Sequence, residues 1–221
     1  MKKKFYLFDK EISEISKIKI SINYFVRLLL IVAFFRSLYF GDWVVLFVSG
    51  ISFILVLLPS LFEKRFNIDI PEEFEIILVI FIYMAIFLGE ARGYYTLFWW
   101  WDVLLHTASG VVLGFVGFLI LFILYKQDKI NARPILIVIF SFCFALAIGT
   151  LWEIFEFLID SIFGFNMQKS GLVDTMGDLI VDAIGALFAS VIGYFYLRKE
   201  EGFFIGRIIR KFIRDNPQIF N

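Results

Sequence analysis

Trp99 to Tyr125 reads WWWDVLLHTASGVVLGFVGFLILFILY. Apart from Asp102 and His106 it carries no ionisable side chain except its terminal tyrosine, and it exceeds the ~20 apolar residues that take an α-helix across a ~30 Å hydrocarbon core. Five further apolar stretches come near that length, over roughly 22–40, 43–62, 72–90, 134–159 and 175–197. The composition agrees: 61% of the 221 residues are hydrophobic, 30 are Phe, and mean hydropathy is +0.86. The expected fold is all-α, a polytopic membrane protein built as a six-transmembrane-helix bundle. Residues 1–21 read as an amphipathic tail, 22–197 as one six-helix domain and 198–221 as a basic tail. A cleaved signal peptide is not expected, because some 20 polar residues precede the first run and Gly41-Asp42 follows it without a small-residue cleavage site.

The connections sort by charge. The N-terminal tail (Lys2, Lys3, Lys4, Lys10, Lys17, Lys19), the second and fourth loops (Lys64, Arg65, Lys126, Lys129, Arg133) and the C-terminal tail (Arg198, Lys199, Arg207, Arg210, Lys211, Arg214) hold most of the 21 basic residues. The alternate loops hold Arg92 and Lys169. The positive-inside rule then puts both termini in the cytoplasm of a prokaryotic plasma (inner) membrane, with the chain a multi-pass protein of it. Tyr39, Phe40, Trp43, Tyr94, Tyr95 and Trp99 to Trp101 would anchor the outer interface. Ile12, Ile15, Ile18 and Ile22, and Phe204, Ile208 and Phe212, recur at helical spacing, so both tails are expected to lie on the anionic inner leaflet among membrane lipids. No basic stripe with interleaved aromatics is present, which gives nucleic-acid binding no support.

Against this apolar background the acids stand out. With that orientation Asp102 and His106 fall in the first turns of the fourth run, Glu153, Glu156 and Asp160 in the last turns of the fifth, and Asp174, Asp178 and Asp182 in the first turns of the sixth. A charge in a bilayer costs roughly 2.5–3.5 kcal/mol on insertion scales and faces a bundle interior or wet cavity. Helical spacing puts each set on one face, with Ser109 continuing the first. Gly110, Gly114, Gly117, Gly177, Gly185, Ala189 and Gly193 offer close helix approach. The expectation is an acidic cavity between these three helices, open to the outside. Asp160 and Asp174 flank a loop and read more simply as solvated or capping groups.

His106, Asp102, Glu153, Glu156, Asp178 and Asp182 are the candidate catalytic groups, since clustered carboxylates beside one imidazole suit general acid–base work. His106, Glu153, Asp178 and Asp182 could instead hold a divalent metal (Mg, Mn, Ca or Zn). With one His and the single Cys143 inside an apolar run, a multi-histidine cage or a thiolate site is excluded. Arg36 and Arg92 either neutralise the acids or clamp an anionic substrate group.

The motifs WDVLLHTASG (Trp101 to Gly110), WEIFE (Trp152 to Glu156) and DTMGDLIVDAIGA (Asp174 to Ala186) resemble the YjdF-like family of bacterial inner-membrane proteins, and more distantly VanZ-like proteins. The resemblance covers about residues 70–197 and leaves the first two helices largely unmatched. The VanZ-like pattern has Asn where this chain has Asp182. Because VanZ-like members are associated with glycopeptide resistance, the likeness implies envelope lipids or precursors. Together the readings favour an envelope enzyme, a hydrolase or transferase acting on a lipid or a lipid-linked envelope precursor with or without metal assistance. A proton- or cation-coupled transporter and a non-catalytic envelope scaffold are the alternatives. The transporter reading is the weaker, because the acids sit in the outer third rather than at the midplane.

Overall fold

The computed structural model describes residues 14–164, 166–199 and 204–220, and every regular element among them is helical. In chain order these are α1 (Glu14–Phe40), α2 (Trp43–Phe66), α3 (Glu72–Ala91), the single turn α4 (Tyr94–Leu97), α5 (Trp100–Lys126), α6 (Pro134–Phe163), α7 (Leu172–Lys199), α8 (Phe204–Asp215) and α9 (Pro217–Phe220). α1, α2, α3, α5, α6 and α7 are each long and apolar enough to cross a membrane. The helices outrun the apolar stretches that predict them, most of all at α1. Polar residues do not stop a helix, and Lys19 within this extension finds an acidic partner. The latter part of α3, Tyr83 to Ala91, winds as a π-helix, which hydropathy alone does not foretell.

The helices fall into two compact units, Met1–Gly93 and Tyr94–Asn221. The first packs α1, α2 and α3 around Val26, Leu30, Val56, Val79 and Phe87. Its polar centre is Glu75, 1% exposed, which pairs with Lys19 and accepts from Asn23 Nδ2 and Ser60 Oγ, both at 3.4 Å. No motif announces this group, although Lys19 and Asn23 stand one turn apart on α1. Removing one member of such a pair strands the other, at a cost of about 3 kcal/mol. Glu75→Ala is therefore expected to lower the unfolding temperature in detergent, and Glu75→Gln, which keeps both hydrogen bonds, to lower it less. Equal melting of all three proteins would exclude that role.

The second unit is a three-helix core of α5, α6 and α7, turned inside out relative to a soluble bundle. On α7, Ile180, Ile184, Leu187, Phe188 and Phe195 are all more than half exposed, whereas Asp178, Asp182, Ala186, Ala189 and Ser190 are buried. Helices surrounded by lipid gain nothing from hiding leucine, so small and polar residues take the inside and tight packing holds them. A Cβ on Gly114 would stand 2.7 Å from that of Ala189. Ser141 Oγ of α6 donates to the Gly114 carbonyl at 2.5 Å and accepts from Ser190 Oγ of α7 at 3.2 Å, tying all three helices at one level.

At the far end Ile209 and Phe212 of α8 are buried, Ile209 in one cluster with Phe118, Phe122, Ile137 and Tyr196. Part of the apolar face of the C-terminal tail, expected on a lipid surface, is thus spent on the protein. Phe204 and Ile208 of that stripe, and Ile12 and Ile15 of the N-terminal one, have side chains outside the described residues.

Candidate functional site

The α6–α7 hairpin brings the end of α6 and the start of α7 beside the first turns of α5. Asp160 builds that hairpin. Its carboxylate accepts from the backbone N–H groups of Met167 and Gln168, each at 2.8 Å, while Gly164 ends α6 in the left-handed conformation at φ +69°. The turn is held further by Gln168 Nε2 donating to Thr175 Oγ1 at 2.6 Å. Asp160 is thus a loop-capping group, as its flanking position suggests.

The loop carries Lys169 back to α5. Its Nζ donates to Asp102 Oδ2 at 2.7 Å and lies 4.4 Å from the centre of the Tyr95 ring. Within this unit the cation that meets Asp102 is Lys169, whose signal is that of a basic residue in an otherwise acidic stretch.

His106 is the hub. Its Nδ1 lies 3.4 Å from Asp182 Oδ2, while its Nε2 faces Asp102 Oδ1 at 3.6 Å and Glu153 Oε1 at 3.8 Å. Asp182 is fixed from its other oxygen by Ser109 Oγ, which donates at 2.9 Å. Its place against α6 exists because residue 149 is glycine: a Cβ there would lie 2.5 Å from Asp182 Oδ2. One ligand atom each from Asp102, His106 and Asp178 falls within 4.8 Å of the others.

Glu153 differs from its neighbours. It is 3% exposed, and neither carboxylate oxygen has a hydrogen-bond partner. Buried polar groups almost always find partners, so a carboxylate left with an imidazole at 3.8 Å carries much unmet hydrogen-bonding capacity.

Of the expected catalytic residues, α5, α6 and α7 therefore gather Asp102, His106, Glu153, Asp178 and Asp182. Glu156 is half-buried and accepts from Trp152 Nε1 at 2.9 Å. Asp174 is likewise half-buried, one turn before Asp178. Arg36 and Arg92 belong to the first unit and are exposed there, with the Arg36 guanidinium 5.3 Å from the centre of the Phe40 ring. The tryptophan run splits: Trp99 is exposed, whereas Trp101 is buried edge-on to Tyr94 at 4.9 Å, since residues two apart point to nearly opposite sides of a helix, about 200° around its axis.

The family described as "Predicted membrane protein (DUF2238)" matches residues 22–199. The chain belongs to that family. It is a multi-pass membrane protein, and the match spans all six long apolar helices. It is also 32% identical over 150 residues to an uncharacterised protein of Thermotoga maritima, an overlap covering 67% of this chain and 74% of that one. No solved structure matches the chain.

Proposed function

We propose that this protein is a membrane-embedded hydrolase or transferase of the bacterial plasma membrane, acting on an envelope lipid or lipid-linked precursor at headgroup depth in the outer leaflet. One observation carries the reading: a buried imidazole whose Nδ1 side is held by Asp182 and whose Nε2 side opens onto Asp102 and the partnerless Glu153. That asymmetry leaves one ring nitrogen for chemistry while the other is oriented, the arrangement by which a histidine activates an attacking oxygen. Glu153 and Asp178 are then available to move the proton to the departing oxygen. The outer-leaflet location rests on the loop charges of the sequence, which place the cytoplasm at the opposite end of α5. The motif likeness to YjdF-like and VanZ-like proteins supports an envelope substrate.

The test is direct. The protein is reconstituted into nanodiscs made from a bacterial lipid and lipid-linked precursor extract, and the products are followed by mass spectrometry. A species with its headgroup cleaved or transferred is expected, with the rate reduced at least ~100-fold in His106→Ala, the size of a lost acid–base group. An unaltered extract with the unmodified protein would sink the hydrolase and transferase reading. Ion flux driven by a pH gradient in sealed proteoliposomes of the same lipids would favour a transporter.

A further inference from the structure

We propose that Asp102, His106 Nε2, Glu153 and Asp178 bind a single divalent first-row metal ion, and that Asp182 orients the histidine from behind rather than ligating the metal. The ion site deepens the proposed activity: with an ion bound, His106 Nε2, Glu153 and Asp178 would be its ligands, and the ion would activate the attacking oxygen in place of the free imidazole; the site otherwise stands on its own observations.

The first observation is convergence. Asp102, His106 and Asp178 come from two different helices, and each offers a donor atom within 4.8 Å of the others. Donors around one ion at ~2.1 Å lie about 3–4 Å apart, so a contraction of roughly an ångström, within the reach of side-chain rotation, closes the set.

The second observation is independent of that cluster's acidity. Glu153, from α6, is only 3% exposed, neither of its oxygens accepts a hydrogen bond of ordinary length, and Oε1 stands 3.8 Å from His106 Nε2, with the Thr175 hydroxyl as its other polar neighbour. In a lipid-surrounded core an unsatisfied carboxylate costs several kcal/mol, which a bound cation would remove.

The third observation is the ring's other side. A metal-ligating histidine nearly always gives its second N–H to a carboxylate, which fixes tautomer and orientation. Asp182 Oδ2 stands at Nδ1 at 3.4 Å, and Ser109 holds Asp182 in turn. The ligand set expected from the sequence therefore changes by one exchange. Asp182 leaves it, because it faces the wrong ring nitrogen, and Asp102 enters.

Charge points the same way. Asp102, Glu153, Asp178 and Asp182 crowd one imidazole, and Lys169 is the lysine that pairs with one of them, Asp102. Lys169 occupies Asp102 Oδ2 and leaves Oδ1 facing His106. One imidazole among carboxylates is a donor set suited to Mn²⁺, Fe²⁺ or Zn²⁺ more than to Mg²⁺ or Ca²⁺, which prefer oxygen alone.

The experiment uses the full chain in detergent, stripped with EDTA and titrated separately with Zn²⁺ and Mn²⁺, the bound ion being counted by elemental analysis. One tightly held equivalent per chain is expected for at least one of the two ions. Glu153→Gln and His106→Ala should each weaken it at least ~10-fold, and Asp182→Asn, which only loosens the ring, by ~10–100-fold. Asp42→Asn alters an acid that caps α2 outside the cluster, and should bind as the unmodified protein does. Thermal unfolding of the same samples reports whether each variant is folded. Should His106→Ala fail to fold, Glu153→Gln, which keeps shape and size, decides. No bound equivalent in the unmodified protein, or equal affinity in a folded Glu153→Gln, overturns the site. A protein that binds the ion but turns over no lipid keeps the site and loses the enzymatic reading; turnover by protein shown free of metal does the reverse.

Discussion

Gly185→Ala lowers the unfolding temperature of the purified protein by about 6–10 °C, whereas Gly177→Ala, roughly two turns earlier on the same helix, leaves it unchanged or raises it slightly. The two glycines are indistinguishable in composition and differ only in what stands opposite. A Cβ at Gly185 would meet the Thr107 carbonyl oxygen more closely than real Cβ contacts allow, and would lie 2.9 Å from the Val111 backbone nitrogen. Both are backbone atoms, so no side chain can swing away and α5 and α7 must part. Overpacking costs typically 1–3 kcal/mol, and a rigid backbone obstacle puts this case near the top of that range. At about 2–4 °C per kcal/mol for a chain of this size, the shift follows. Gly177 has nothing within 4 Å of its imagined Cβ, so alanine there contributes its usual ~0.5–1 kcal/mol of helix preference. Because Thr107 adjoins His106, the Gly185 variant should also lose affinity for the ion. Melting curves that move alike for both variants would refute the close α5–α7 contact.

Glu153→Met is expected to raise the melting temperature of the EDTA-treated protein and, on the proposed activity, to abolish lipid turnover. Stability and activity part company here because Glu153 is a burden on the empty fold. Its carboxylate is buried without a hydrogen bond of ordinary length, and its long 3.8 Å contact to His106 Nε2 is one of three the imidazole makes with carboxylates. Methionine therefore removes an under-solvated charge while His106 keeps Asp102 and Asp182, a gain of about 1–3 kcal/mol. Function and stability trade off at such positions. His106→Ala should do the opposite to stability, since it takes the imidazole from between Asp102, Glu153 and Asp182 and leaves the acids to face one another. Differential scanning fluorimetry with and without EDTA, run beside the nanodisc assay, checks both. A Glu153→Met protein that melts lower than the unmodified one in EDTA would show that Glu153 supports the fold.

Much of the site is legible in the residue order itself, and the reason is periodicity. Asp102 and His106, Glu153 and Glu156, and Asp174, Asp178 and Asp182 sit at helical spacings inside runs long enough to span a bilayer, so their grouping by face follows from the pitch of the helix. What spacing cannot supply is partnership across helices. Nothing in the local pattern says that Lys169 reaches Asp102, that Glu153 faces the same imidazole without a hydrogen bond of ordinary length, or that Asp182 and Asp102 take opposite sides of that ring. Glu75 escapes notice for the same reason: a glutamate in the first turn of a helix reads as a dipole-favoured surface group until Lys19, Asn23 and Ser60 are seen to close over it.

The sequence by itself determined the class, the number of long apolar helices and the residues rich enough in chemistry to matter, because hydropathy and helical pitch are local properties. Only the tertiary structure decided which of those residues form one centre. That depended on Gly149, Gly110 and Gly185, whose missing side chains let Asp182 sit against α6 and the backbones of α5 and α7 touch. Close approach is a property of two surfaces at once, and one strand of sequence describes each of them separately.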